Sequence, residues 1–149
     1  MRIEVFASGR CVPSQGGIGI FGCVLKVDGR VVWTESGCSG RTGQTILSAK
    51  FAGAIVALRK LTDEHAEHPE AALALFVDDR QTKLQLDGTW PAGQNDCHFP
   101  LWKEAHELYF VLNEYREFYL GWMNNNLAAE LVAQTMKRHG IAEGRTVRR

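Results

Sequence analysis

The sequence predicts an α/β fold built on a five-stranded mixed sheet, strand order 3-2-1-4-5, with helices on both faces. Three observations predict it. The first 36 residues read as three strands joined by turns, with Asp28-Gly29 the strongest hairpin signal in the chain. Residues 45–61 then switch to helical spacing, with Phe51, Ile55, Leu58 and Leu61 on one face. Residues 72–77 are short and almost wholly apolar, as expected of a strand buried on both faces of a parallel sheet.

Each element follows in order. Residues 2–8 carry the β-branched and aromatic residues of a strand, and Gly9 to Gly17 form a turn-rich loop punctuated by Pro13. A second strand covers 18–27 and a third 30–36, so the three form an antiparallel meander. A loop with Gly37, Gly40 and Gly43 leads to the first helix, whose propensity is raised by Ala49, Ala52, Ala54 and Ala57. Polar residues from 62 end that helix near Pro69. After the strand at 72–77 come a short helix at 79–86, a loop at 87–100 and an amphipathic helix at 101–114. A last strand covers 117–123, and a last helix covers 126–139 and ends at Gly140.

Right-handed crossovers place the fourth and fifth strands parallel to the first, on the side away from the hairpin. Sites in such sheets gather at the carboxyl ends of the parallel strands. Here those ends are Ser8, Asp78 and the turn from Met123 to Asn126.

At 149 residues and 45% apolar content, the chain reads as one domain over residues 1–141, followed by a basic, disordered tail at 142–149. No apolar run of about 18 residues and no signal peptide is present, so a soluble cytoplasmic protein is expected. Cys11, Cys23, Cys38 and Cys97 form no CxxC pair, and free thiols are expected rather than a zinc site with His98. Net charge is zero, but residues 1–60 hold eight Lys/Arg against three Asp/Glu, while residues 61–144 hold six against fourteen. The first third could supply a basic patch for nucleic acid; the rest would repel phosphate.

Six segments, in order, resemble the type 1 ribonuclease H family. Ile3 to Gly9 resembles the family's first strand, which ends in Thr-Asp-Gly, and Gly16-Gly17-Ile18-Gly19 resembles its Gly-Gly-x-Gly entry to the second. Ala54 to Leu58 resembles its first long helix, and Val77-Asp78-Asp79 resembles its Thr-Asp-Ser. Leu101-Trp102 resembles its Leu-Trp, and Asn125 to Leu131 resembles its Asn-x-x-Ala-Asp-x-Leu. The resemblance implies a domain that cuts the RNA of RNA/DNA hybrids with two Mg²⁺ about 4 Å apart. It also implies four catalytic acids, and three are missing. Their positions fall on Ser8, Lys50, Asp78 and Ala129, so only Asp78 remains. The histidine-bearing loop is shortened to Met123 to Asn126 and holds no histidine.

One carboxylate cannot hold two dications. Lys50 is expected to pair with Asp78 and take over the electrostatic role of the metal. Asp79 is expected to point away, and Glu130 and Glu4 could rebuild a site only with a shift in register or depth. The segment 84–102 keeps Trp90 and Trp102 but has no Lys or Arg, which weakens the basic grip of the family. Arg10, Arg41, Arg80 and Asn125 are the candidate nucleic-acid contacts. None of the five histidines has a nucleophilic partner in the sequence. The expected function is therefore non-catalytic binding of an RNA/DNA hybrid or duplex, with no cofactor unless a remodelled site takes Mg²⁺. The alternatives are a protein-interaction module or homodimer that keeps only the fold, and an active Mg-dependent hybrid ribonuclease.

Overall fold

A computed structural model describes residues 1–115 and 118–141. Its strands are β1 (Arg2–Val12), β2 (Gln15–Val27), β3 (Arg30–Thr45), β4 (Ala72–Val77) and β5 (Phe118–Trp122). Its helices are α1 (Ile46–Glu67), α2 (Arg80–Leu86), α3 (Phe99–Tyr115) and α4 (Leu127–Arg138). The sheet order is β3-β2-β1-β4-β5, with β1, β4 and β5 parallel and β2 antiparallel to both its neighbours. This is the mixed sheet that the sequence predicts.

The meander strands are longer than expected. The β1–β2 ladder runs on to Val12 opposite Ile18, so Gly9 to Val12 are strand and not loop. β3 extends to Thr45 through Gly37, Gly40 and Gly43, its pairing with β2 interrupted by register shifts around Gly17 and Gly19. Glycines that read as turn punctuation instead mark bulges within strands. α1 runs through the polar residues after Leu61 and ends at Glu67 with His68 as its cap, next to Pro69 as expected. The tail at 142–149 and residues 116–117 lie outside the described residues.

Two cores sandwich the sheet. On one face Ile3, Val5, Ala7, Leu73, Leu75 and Val77 pack against Phe51, Leu58 and Leu61 of α1, together with Ala105 and Leu112 of α3. On the other face α4 places Val132 and Met136 against Ile20, and Ala128 against Phe6 and Val24. Among the described residues, no helix is long and apolar enough to cross a membrane.

Candidate functional site

The parallel register sets Phe6 beside Phe76, so β1 passes the end of β4 and brings Ser8 next to Asp78 at one edge. There the Ser8 hydroxyl donates to Asp78 Oδ2 at 2.8 Å, and the Gly9 N–H donates to the same oxygen at 3.2 Å. Gly9 is required for what comes next. A Cβ there would meet the Ala49 carbonyl carbon and the Lys50 nitrogen at 2.6 Å, so only glycine lets the first turns of α1 approach β1 this closely.

α1 begins with a reciprocal cap. The Thr45 hydroxyl accepts from Ser48 N at 3.0 Å, and Thr45 N donates to Ser48 Oγ at 2.8 Å. The cap and the Gly9 contact fix Lys50 at the mouth of the site. Its ammonium lies 3.2 Å from Asp78 Oδ1 and hydrogen-bonds Asp79 Oδ2. The expected Lys50–Asp78 pair is present. Asp79 does not point away, which corrects the expectation from strand alternation. The strand ends at Val77, the chain bends, and Asp79 becomes the N-cap of α2, its Oδ1 accepting from Thr82 N at 2.7 Å.

Electrostatics keep the cluster charged. Burial disfavours the Lys50 ammonium, but the charges of Asp78 and Asp79 and their hydrogen bonds outweigh it and raise its pKa above the ordinary lysine value. For Asp79 burial works against ionisation. The hydrogen bonds from Lys50 and Thr82 overcome it and hold the carboxyl below its usual value.

α4 closes the edge. Asn126, almost fully buried, donates through Nδ2 to the carbonyls of Ala7 at 3.0 Å and Phe76 at 3.4 Å, and its Oδ1 accepts from Ala128 N at 2.9 Å. One side chain thus ties β1, β4 and the start of α4 together. The sequence reading missed it and named its neighbour Asn125. An asparagine directly before the helical run was the available cue.

These elements surround an open cleft of about 740 Å³. Ser8 of β1, Lys50 of α1, Asp78 just past β4 and Ala129 of α4 all line it. Arg10, Asn124 and Asn125 line it too, with Asn125 in a left-handed turn at φ 50°. Arg41 and Arg80 do not. Arg80 instead lies over the exposed Trp90 ring at 5.2 Å, and Arg41 is exposed on β3. Glu130 is exposed and outside the cleft lining, and Glu4 is paired with Arg2 at 2.9 Å.

The histidines that looked isolated hold α2 to α3. His98 Nε2 pairs with Gln85 Oε1 at 2.7 Å, His106 Nδ1 with the Leu86 carbonyl at 2.8 Å, and Trp102 Nε1 donates to the Gln85 carbonyl at 2.6 Å. Among the described residues no three His, Cys, Asp or Glu are grouped to hold a metal ion.

No protein-family model matches the sequence, and no curated protein does either. Solved structures do. RNase H1 of the halophilic archaeon Halobacterium salinarum superposes with TM-score 0.70 at 20% identity, over 93% of this chain and 99% of that one. The N-terminal RNase H domain of a Mycobacterium tuberculosis protein gives 0.71 at 18% identity, over 93% and 96% of the two chains. LC11-RNase H1, isolated from compost by a metagenomic approach, gives 0.73 at 15% identity in its complex with an RNA/DNA hybrid, over 93% and 99%. The fold is RNase H-like. In this RNase H-like chain the cleft lies where β1, β4, α1 and α4 converge, and it is lined by one ammonium paired with two neighbouring carboxylates.

Proposed function

We propose that this chain is a non-catalytic RNase H-like domain that binds nucleic acid, an RNA/DNA hybrid or a duplex, without cutting it. The observation that carries the reading is Lys50, whose ammonium sits between Asp78 and Asp79. The residues of the cleft do not fit the pair of Mg²⁺ that the resemblance implies. Hard dications need several oxygen ligands, with carboxylates to offset their charge. Asp78 Oδ2 is already held by Ser8 and Gly9, its Oδ1 faces an ammonium, Asp79 is taken up by the same ammonium and by Thr82 N, and Ser8, Lys50 and Ala129 add no carboxylate. A dication entering here would meet a fixed positive charge a few ångströms away. Support for nucleic acid as the partner comes from LC11-RNase H1, whose same fold is solved on a hybrid, and from Arg10 and Asn125 along an open cleft.

The test is fluorescence anisotropy of an end-labelled RNA/DNA hybrid titrated with the protein in Mg²⁺ at moderate salt. A stable rise is expected. A decay below the free-hybrid value would mean cleavage and would sink the non-catalytic reading.

One observation favours a second reading, a protein-interaction module or homodimer. The edge strand β5, Phe-Tyr-Leu-Gly-Trp, carries no charge and no proline to blunt it. Tyr119, Trp122, Met123 and Leu127 are exposed along it and just beyond. A flat anisotropy trace, with dimers at low micromolar concentration by sedimentation, would favour this reading.

A further inference from the structure

We propose that Lys50 is the resident cation of the cleft, bridging Asp78 and Asp79 to a phosphodiester oxygen of the bound strand, so that binding there needs no divalent ion. The proposal rests on the nucleic-acid reading above and assigns its central contact. An ammonium has three N–H donors and no acceptor. Asp79 Oδ2 takes one of them. Asp78 Oδ1, 3.2 Å from Nζ, takes at most a second, which leaves the third. Lys50 therefore keeps donor capacity while lining the cleft.

Both anchors are fixed. Asp78 is tied by Ser8 and Gly9, and Asp79 by Thr82 N. The ammonium is thus held in place before a ligand arrives, which lowers the cost of ordering a long side chain on binding. The two carboxylates are offset by Lys50 and by their own donors on Ser8, Gly9 and Thr82, and Arg10 lines the same cleft. The raised pKa of Lys50 keeps the charge in place through neutral pH. A divalent ion would have to expel this side chain from both carboxylates to enter.

The experiment titrates labelled hybrid with the wild type, Lys50→Met and Lys50→Arg, each in EDTA and in Mg²⁺. Wild type is expected to bind equally in both. Lys50→Met is expected to bind about tenfold more weakly, with a salt slope shallower by about one, and Lys50→Arg to restore most of the affinity. Wild-type binding that requires Mg²⁺, or Lys50→Met binding with unchanged affinity and slope, overturns the lysine bridge and leaves the binder reading standing. No wild-type binding in either buffer overturns both. Thermal melting of the wild type with Mg²⁺ or Mn²⁺ against EDTA guards against a variant that fails to fold. An unshifted midpoint is expected, and a rise would mean that a divalent ion enters the cleft and would overturn the proposal.

Discussion

Lys50 and Asp78 stabilise the protein only as partners. Their side chains are 14% and 12% exposed, so neither can turn to water when the other is lost. Lys50→Ala should cost about 2–4 kcal/mol in chemical denaturation, because it leaves Asp78 charged and largely buried. A change under about 0.5 kcal/mol, the scatter of surface substitutions, would contradict the pairing. Asn126→Ala should cost about 2 kcal/mol by the same assay, through the lost helix cap and two orphaned strand carbonyls. Asn125→Ala, one residue away and exposed, should cost about 1 kcal/mol, through its left-handed backbone alone. The Lys50–Asp78 contact was legible because both positions follow from registering the chain against known motifs. The choice among Asn124, Asn125 and Asn126 was harder to read, since three identical residues in a row offer three possible caps and only the start of the helical run separates them. Asp79 was misread for another reason. Strand alternation describes a chain that continues, and this one bends immediately after Val77.

At the scale of elements, α2 hangs between the cleft and α3. Its first residue follows the Asp79 cap, and its last two carbonyls are held by Trp102 and His106. His98 completes this clasp, stacked on Phe51 at 5.5 Å and paired with Gln85. Burial lowers the His98 pKa below 6.5, with Asp96 opposing more weakly. The folded state therefore resists protonation, and the unfolded chain takes the proton first. The contribution of His98 is complete above 6.5 and is lost as pH falls below it. Lys50 and Asp79 act elsewhere. The raised Lys50 pKa removes stability only above about pH 10.5, and the lowered Asp79 pKa only below about 3.8. Thermal midpoints measured from about pH 8 down to about pH 5 should fall for wild type and fall less for His98→Gln, which can still donate to Gln85. Equal slopes would remove His98 as the titrating group. The sequence hid this clasp because its partners are backbone carbonyls and a glutamine thirteen positions away, and neither leaves a periodic signature. The strands β2 and β3 were cut short for a related reason, since glycine marks a bulge and a turn alike.

At the scale of the whole molecule, sheet order turns a charge asymmetry along the chain into one across the fold. β3, β2, β1 and most of α1 come from residues 1–60, which hold eight Lys/Arg against three Asp/Glu. β4, β5 and the other helices come from the acidic remainder, and the cleft lies at the seam between β1 and β4. A bound strand should then meet its phosphates mainly on the β1 side and find repulsion toward α3, whose preceding loop has no Lys or Arg. Several of the basic residues are already engaged, among them Arg59 with Glu104 and Arg2 with Glu4. Few phosphates can be neutralised at once. Each phosphate contact contributes close to one unit to the slope of log affinity against log salt, so the slope for a hybrid should be about −3 or shallower. A slope of about −6 or steeper would demand more contacts than the basic half has left to give. It would move the binding face away from the seam between β1 and β4, and with it the role assigned to Lys50.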